Sequence, residues 1–449
     1  MLLAVIQLLA ALIYWSIFWW DSKRPEAIAQ QNQPTSLSDS DHAARITLIV
    51  PIGPSDNRDE AIATIQALRQ QQYQGYCEVV VADFTHDNDD IPLQALIENL
   101  ANTTEGLRLR HTAVPTSSRQ IVPRKLALTL GFKAAWGEWV MVVRPGAIPP
   151  DTHWVEACAA HMTSGYDYIQ YYTTYRPCDT SSPLPPDTPK SDRVNLRKKP
   201  IYSPSATLTF EHIHHYLDVW YAWQKGIRFN PPLEGYALRK EWFLAERGFS
   251  DSLAFNFGEE TILIARHALP SRTAMVLSPS STLHLRAPST TELYFERIVR
   301  SESHQYTDVE AAPLTATRRA TVVIAVYAYM AAFITWLLTR LAQVGYYLLP
   351  PDYDNEVLSW LAPVFSLDYR PIFDSLIDAL CILILFIFAG LTRKGLRRIA
   401  GSLGESLPGS FSFLAFVLSA PYRWLRISFG RTYHSPDFDR KAYPHSATP

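Results

Sequence analysis

The sequence predicts an α/β domain with a mainly parallel sheet and flanking helices, accompanied by membrane helices towards both ends of the chain. Short apolar runs bounded by turn residues predict buried strands at residues 46–51, 78–83, 107–112 and 139–143. Helical patterns lie between these runs, and strands that alternate with helices imply βαβ units and a parallel sheet. Long apolar stretches at residues 1–20, 320–339 and 376–391 predict membrane spans outside a domain at residues 45–303.

The composition fits one large domain with membrane segments. The chain has 449 residues, of which 47% are hydrophobic, and a formal net charge of -2. This near-neutral charge gives no indication of nucleic acid as a partner. The cysteines at positions 77, 158, 178 and 381 form no CxxC pair, so neither a zinc site nor a disulfide framework is indicated.

The first apolar stretch, residues 1–20, ends in aromatic residues and is followed by Lys23 and Arg24. Basic residues on its carboxyl side place the following chain in the cytoplasm. A cleavable signal peptide is the alternative, but the basic residues follow the apolar run and no small-x-small site closes it. Residues 21–44 are rich in Gln, Ser, Asp and Pro, which predicts a flexible linker.

The charges around the later apolar stretches predict the same orientation. Carboxylates without basic residues occupy residues 350–368, whereas basic residues cluster at 393–398. By the positive-inside rule, residues 45–318 are cytoplasmic and a loop near residue 355 faces outwards, which places the chain in the cell (inner) membrane. Pro421 interrupts the apolar residues 408–428, so we expect an interfacial or re-entrant segment there.

One stretch, residues 124–150, organises the predicted domain. A helix with apolar residues at Leu126, Leu130 and Ala134 leads into the strand at 139–143. The strand ends in the turn Arg144-Pro145-Gly146. Loops at the carboxyl ends of strands line the ligand crevice of open α/β sheets, so we expect the chemistry near this turn.

This stretch resembles the family 2 glycosyltransferases. The resemblance is carried by Lys125, Gly131, the Gly137-Glu138-Trp139 run and the Ile-Pro-Pro at residues 148–150. It implies a GT-A (Rossmann-like) fold and transfer of a sugar from a nucleotide-diphosphate donor. In that family the turn reads Asp-x-Asp and binds Mg²⁺ or Mn²⁺. Arg144 and Gly146 stand at those two places here, so the usual divalent metal has lost its ligands and no metal site is predicted.

The resemblance also implies residues that bind the donor. Pro51 and Asp83 end the first two strands as the family pattern requires. Asp83 would accept a hydrogen bond from the ring N–H of uracil, which makes a UDP-sugar a candidate donor, and the alternative is that Asp83 only caps a turn. Lys125 and Arg144 are further candidates for this side of the site.

Gly258-Glu259-Glu260 matches the acidic site of the family, in which the second carboxylate deprotonates the acceptor hydroxyl. The alternative is that Glu259 and Glu260 only complement the positive end of a helix. Residues 233–240 resemble the acceptor-side segment, with Gly235 in place of its asparagine.

Three further segments contain residues that could bind phosphate, membrane or metal. Residues 290–303 align with an arginine-containing segment of the family, so Arg297 and Arg300 are candidates to bind the diphosphate or to lie on an interfacial helix. A basic loop at residues 178–200 either lies near phosphate or membrane or is simply solvated. In residues 211–215, only His212 and His215 have a spacing that lets two imidazoles converge, so a metal site is a weak hypothesis.

The resulting hypothesis is a membrane-anchored, inverting glycosyltransferase of bacterial type. It would move a sugar to a hydroxyl of a glycan or lipid-linked acceptor in cell-envelope polysaccharide synthesis. The alternative is a catalytically inactive scaffold or regulatory subunit with the same fold, which the lost Asp-x-Asp favours.

Overall fold

The computed structural model describes residues 4–17, 43–54, 56–85, 93–102, 106–115, 122–163, 165–176, 204–232, 234–253, 258–286 and 311–348, and part of a helix between 378 and 398. The chain divides into two compact units. One contains Met1–Arg24 and Ala316–Gly401, and the other contains Pro25–Thr315 and Ser402–Pro449.

The larger unit is built on a seven-stranded sheet. In chain order its strands are β1 (Ile46–Ile52), β2 (Cys77–Asp83), β3 (Arg108–Ala113), β4 (Trp139–Val142), β5 (Tyr168–Tyr171), β7 (Tyr236–Arg239) and β8 (Thr273–Val276). Strands β6 (Thr173–Arg176) and β9 (Leu283–Arg286) form a separate parallel pair.

The strand order in the sheet is β3-β2-β1-β4-β7-β5-β8. The pairs β1–β2, β2–β3, β1–β4 and β5–β8 are parallel, and only β7 runs antiparallel to its neighbours β4 and β5. The prediction of a mainly parallel α/β sheet with flanking helices is therefore confirmed. All seven residues of β1 are buried, because β1 lies between β2 and β4 and its two faces are covered.

The helices are α1 (Ala4–Ile17), α2 (Arg58–Arg69), α3 (Leu93–Ala101), α4 (Pro123–Ala134), α5 (Trp154–Ala159), α6 (Pro204–Gln224), α7 (Lys240–Ala245), α8 (Glu259–His267) and α9 (Ala311–Leu348). Helix α2 is capped by Asn57, whose side chain accepts from the backbone N–H groups of Asp59 and Glu60. Helix α2 therefore begins a short loop after the carboxyl end of β1.

The predicted helix is present as α4, but the apolar residues named in the sequence are not the ones that it buries most deeply. Leu126, Leu130 and Ala134 are only partly buried, whereas Leu128 and Phe132 are buried completely. Both sides of this helix carry apolar residues, so helical spacing alone did not distinguish the face that meets the sheet.

Gly131 explains which face of α4 is buried. A Cβ atom at Gly131 would lie 3.0 Å from Cδ1 of Ile49 in β1, so the helix backbone approaches the sheet closely at this position. Phe132, next in the chain, stacks on Phe243 of α7 with 3.8 Å between ring centroids. The close approach at Gly131 therefore fixes the rotation of α4 on the sheet.

The smaller unit contains apolar helices. In the described residues, the Ala320–Leu341 part of α9 is the helix that is long and apolar enough to cross a membrane, whereas α1 is shorter. Ala10 of α1, Tyr329 of α9 and Ile384 pack together. The predicted span at residues 320–339 lies within α9, and the described residues between 378 and 391 are helical, as expected for the stretch at 376–391.

Candidate functional site

The candidate site lies where the parallel strands β1, β2 and β4 have their carboxyl ends. Strand β7 runs in the opposite direction, and the pairing of Val140 with Leu238 brings its first residues to the same edge. Helices α2 and α4 begin at this edge because each follows a parallel strand. The topology thus assembles side chains from segments far apart in the chain, as expected for the ligand crevice of an open sheet.

Glu260, in the first turn of α8, is buried and hydrogen-bonded. Its side chain is 6% exposed. Its Oε1 atom accepts a hydrogen bond from the Tyr236 hydroxyl at 3.0 Å and pairs with Nη2 of Arg124 at 3.3 Å. The predicted base is therefore held between the start of β7 and the start of α4.

Glu259, the neighbouring carboxylate, is also buried, and its Oε1 has no hydrogen-bond partner among the described residues. Burial raises the pKa of Glu259. The positive charge of Arg124 opposes that rise, the negative charge of Glu260 adds to it, and Lys125 opposes it. Two adjacent carboxyl groups therefore have different surroundings: Glu260 pairs with Arg124, whereas Oε1 of Glu259 has no partner among the described residues.

Lys125 is nearly completely buried, with 1% exposure. Its ammonium donates a hydrogen bond to the backbone carbonyl of Ser252, and burial lowers its pKa while Glu259 and Glu260 act to raise it. The role of Lys125 in donor binding stays a prediction. Its ammonium group lies against the backbone at Ser252, in the segment before α8.

The turn after β4 is positively charged. Nε of Arg144 lies 3.0 Å from Oε1 of Glu234, which is buried just before β7. Gly146 has a φ of 84°, a conformation that favours glycine, and its N–H donates to the Thr64 hydroxyl at 2.9 Å. The turn therefore places a guanidinium at the edge of the sheet and is tied to α2.

The residues at this turn do not suit a divalent cation. Mg²⁺ and Mn²⁺ prefer carboxylate oxygens and water. Two nearby carboxylates, Glu60 and Glu234, are paired with Arg286 and Arg144, and a third, Asp56, accepts from the backbone N–H of Gly53. In the part of the chain that the structure describes, no group of three or more His, Cys, Asp or Glu residues is arranged to hold a metal ion.

Asp83 ends β2 and lies in a turn. Its Oδ1 accepts from the backbone N–H and hydroxyl of Thr85, at 2.9 and 2.8 Å, and its Oδ2 lies 3.0 Å from Nε2 of His111. Burial acts to raise the pKa of Asp83, but these hydrogen bonds outweigh it and the pKa is lowered. The turn-capping alternative is thus seen in the structure, while nucleotide binding by Asp83 stays a prediction.

The missing asparagine of the acceptor-side segment has a steric explanation. Gly235 has a φ of 73°, and a Cβ atom there would lie 2.4 Å from Cγ2 of Thr173 and 2.9 Å from the carbonyl oxygen of Tyr171. No side chain fits at this position without displacement of β5 and β6.

The histidines of α6 contribute to packing. His212 and His215 are both buried, and Nε2 of His212 lies within hydrogen-bond distance of the hydroxyl and the carbonyl oxygen of Thr173, at 2.8 and 2.7 Å. His212 also packs against the rings of Tyr172, Tyr175 and Tyr216. These contacts give His212 a structural role beside β6.

Some of the predicted residues lie elsewhere. Pro51 is buried inside β1, opposite Ala82 of β2, and contributes to the sheet next to the site. Arg297, Arg300 and the loop at residues 178–200 lie outside the described residues.

Three site residues were missed in the sequence: Arg124, Glu234 and Tyr236. Arg124 lies next to Lys125 at a predicted helix start, and Glu234 and Tyr236 flank Gly235 in the acceptor-side segment. Their polar side chains and their positions beside recognised motifs could have identified them as candidate site residues. The contacts of Tyr236 with Glu260 and of Glu234 with Arg144 depend on the antiparallel direction of β7, which no local pattern specified.

No protein-family model matches the sequence, and no curated protein matches it. Among solved structures, the chain is similar to the mannosyltransferase PcManGT from Pyrobaculum calidifontis in complex with GDP-Man and Mn²⁺, with 15% identity over 86% of this chain and 98% of that chain and a TM-score of 0.45. It is also similar to S. aureus TarS 1–349 in complex with UDP, with 15% identity, 63% and 70% coverage and a TM-score of 0.35. A third similar structure is glucosyl-3-phosphoglycerate synthase from Mycobacterium tuberculosis in complex with phosphoglyceric acid, with 16% identity, 59% and 79% coverage and a TM-score of 0.32. These likenesses are too distant to transfer a function, so the proposals below are argued from this chain's own residues.

Proposed function

We propose that the chain is an enzyme that transfers a sugar from a nucleotide-diphosphate donor to a hydroxyl acceptor. The observation that carries the proposal is the buried Glu260 at the carboxyl edge of the sheet, with Arg124 beside it and Arg144 on the neighbouring turn. A carboxylate to receive a proton and guanidiniums to meet phosphate are the groups that this reaction requires. The ordered resemblance to family 2 glycosyltransferases points to the same reaction.

The proposed reaction is a single displacement. The acceptor oxygen forms a bond to the anomeric carbon and its proton passes to Glu260. The bond from the anomeric carbon to the diphosphate oxygen breaks, and the electron pair leaves with the nucleoside diphosphate. Attack from the side opposite the leaving group inverts the anomeric configuration.

In this proposal Arg144 takes part in the charge neutralisation that a metal ion supplies in the family. Guanidinium groups bind phosphate oxygens through paired hydrogen bonds, and the turn places Arg144 at the sheet edge with its side chain 32% exposed. Gly146 offers no ligand atom in its side chain. We therefore expect donor binding that does not depend on a divalent cation.

We further propose that the enzyme is anchored in the cell membrane with this domain in the cytoplasm, acting on a glycan or lipid-linked acceptor of the envelope. The apolar segment Ala320–Leu341 and the distribution of basic residues support this location. A UDP-sugar is the first donor to test, because Asp83 stands at the end of β2.

A second candidate function is an inactive scaffold with the same fold. The pairing of Arg144 with Glu234 and the absence of ligand atoms in the Gly146 side chain favour it, because such a turn is stable without a ligand.

One experiment separates the two candidates. The purified full chain is incubated with a panel of nucleotide sugars, with EDTA or with Mn²⁺, and release of the nucleoside diphosphate is measured. The enzyme is expected to hydrolyse at least one donor slowly in EDTA, and Arg144→Ala is expected to weaken donor binding. Strong stimulation by Mn²⁺ would contradict metal independence, and the absence of both nucleoside diphosphate release and donor binding under either condition would favour the scaffold over the enzyme.

A further inference from the structure

Two arginine–carboxylate pairs at the candidate site share one arrangement. Arg124 of α4 pairs with Glu260 of α8, and Arg144 after β4 pairs with Glu234 before β7. Both guanidiniums also act electrostatically on Asp56, which follows β1. The two cations therefore lie in the same part of the sheet edge.

Burial differs between the two members of each pair. The carboxylates are 6% and 8% exposed, whereas the side chains of Arg124 and Arg144 are 27% and 32% exposed. The arginine side chains are thus the more solvent-accessible members of both pairs. An anion at this edge of the sheet can reach them, and it also meets the carboxyl group of Asp56.

Glu260 has two partners on the same carboxylate oxygen. Its Oε1 accepts from the Tyr236 hydroxyl and from the Arg124 guanidinium, so this oxygen is engaged before any substrate arrives. The contact with Arg124 is the longer one, at 3.3 Å, compared with 3.0 Å for both the Tyr236 contact and the Arg144–Glu234 pair. Arg124 is therefore the partner that Glu260 releases most easily.

We propose, on the basis of the function proposed above, that Arg124 binds the donor diphosphate and that donor binding transfers Arg124 from Glu260 to the phosphate oxygens. The transfer frees Oε1 of Glu260 to receive the acceptor proton. The base becomes available only when the donor is in place, so the donor binds before the acceptor is activated.

A comparison of the two possible partners of Arg124, Glu260 and a diphosphate, supports this exchange. Because the side chain of Arg124 is 27% exposed, water screens its attraction to the buried Glu260, and the Tyr236 hydroxyl still donates to Glu260 when Arg124 leaves. A diphosphate carries more than one negative charge and offers guanidinium two parallel hydrogen bonds, which are among the stronger polar contacts in proteins. The diphosphate therefore competes successfully with Glu260 for Arg124.

The test is isothermal titration of the full chain with UDP and with GDP in EDTA. Arg124→Gln is expected to weaken binding about tenfold to hundredfold, because a charged hydrogen-bond donor is lost. Glu260→Gln is expected to tighten binding about twofold to fivefold, because the diphosphate no longer competes with a carboxylate for Arg124. In the double variant Arg124→Gln/Glu260→Gln, the tightening is expected to disappear.

A matched control is available at the opposite edge of the sheet. Arg272, just before β8, pairs with Asp167, just before β5, whose side chain is 13% exposed, so Arg272→Gln removes an ion pair to a mostly buried carboxylate away from the site and is expected to leave nucleotide affinity unchanged. Thermal melting of each variant identifies any that fail to fold. If Arg124→Gln does not fold, Arg124→Lys and the tightening in Glu260→Gln still test the exchange.

The possible outcomes separate the two proposals. If the wild-type chain binds no nucleoside diphosphate, both the proposed function and the exchange are overturned. If the wild type binds and Arg124→Gln binds equally well, only the role of Arg124 is wrong. If Glu260→Gln does not tighten binding, or if the tightening persists without Arg124, the exchange of partners is wrong.

Discussion

At the scale of single residues, Glu259 and Glu260 show how adjacent identical side chains acquire different properties. Both start α8 and both are buried, but Glu260 has hydrogen-bonded partners for Oε1 whereas Oε1 of Glu259 has none among the described residues. Burial favours the neutral form of the Glu259 carboxyl group and raises its pKa. The difference between the two residues is therefore one of environment, and it leads to a measurable dependence of stability on pH.

We expect Glu259→Gln to stabilise the chain relative to wild type by an amount that increases with pH. The folded-state pKa of Glu259 is raised above its usual value of 4.5. The stability contributed by its neutral form is therefore fully present below that value and is lost as pH rises through the folded-state pKa. Glutamine cannot ionise, so it does not lose this contribution.

The measurement is the melting temperature of both chains between about pH 5 and about pH 8. Glu241→Gln, at an exposed position in α7, is the control and is expected to show no such trend. A Glu259→Gln difference that is constant across this range would contradict a buried, neutral carboxyl group.

Asp83 supports a second residue-scale prediction. If it accepts the ring N–H of a pyrimidine, Asp83→Ala weakens UDP binding by ~1 to 3 kcal/mol. If Asp83 bound only the nucleotide, the melting temperature of Asp83→Ala would stay near that of the wild type. The hydrogen bonds from Thr85 and His111 predict a lower melting temperature, because their donors lose an acceptor.

Thr85→Val separates the two roles of Asp83, because it removes one hydrogen bond of the turn and keeps the carboxylate. Titration with UDP and thermal melting are measured for both variants. A lower melting temperature with unchanged UDP affinity in Asp83→Ala would assign Asp83 to the turn alone.

At the scale of elements, α4 shows what the sequence specified and what it left open. Its position between β3 and β4 followed from the alternation of helical and strand patterns, and so did the parallel direction of β4. Its buried face did not, because the close packing of Gly131 on Ile49 depends on a contact between distant parts of the chain.

We therefore expect Leu128→Ala to destabilise the domain by ~2 to 5 kcal/mol, the usual cost of a cavity in a core. Leu130→Ala is the matched control and is expected to cost less, since Leu130 is only partly buried. Thermal unfolding of the full chain in detergent compares the two variants. Equal losses, or a larger loss for Leu130→Ala, would contradict the rotation of α4 described above.

The candidate site, like α4, was predicted from the sequence only in part. The sequence located Glu259, Glu260, Asp83 and Arg144, because each stands in a local pattern at the end of a strand or the start of a helix. It did not pair Arg144 with Glu234 or Arg124 with Glu260. The Arg144–Glu234 pair arises because β7 runs antiparallel to β4 and returns its first residues to the carboxyl edge, and the Arg124–Glu260 pair joins the starts of two helices whose paired residues are 136 positions apart in the chain.

At the scale of the whole molecule, the charge pattern and the apolar segments give one consistent orientation. Residues 45–318 are predicted on the cytoplasmic side, and Arg340, near the end of the apolar part of α9, is predicted on the outer side. This exception to the positive-inside rule is compensated, because Nε of Arg340 lies 2.7 Å from Oδ1 of Asp378, which also accepts from Nε1 of Trp336 at 2.8 Å. A neutralised arginine does not oppose the orientation.

Cysteine labelling tests the orientation directly. In a background in which Cys77, Cys158, Cys178 and Cys381 are replaced by serine, single cysteines are introduced as Asn355→Cys and Ser117→Cys. A membrane-impermeant maleimide added to intact cells is expected to modify Asn355→Cys, because carboxylates without basic residues surround it, and to spare Ser117→Cys until the membrane is permeabilised. The reverse pattern would place the candidate site outside the cell, away from cytoplasmic nucleotide sugars, and would contradict both the predicted topology and the proposed donor.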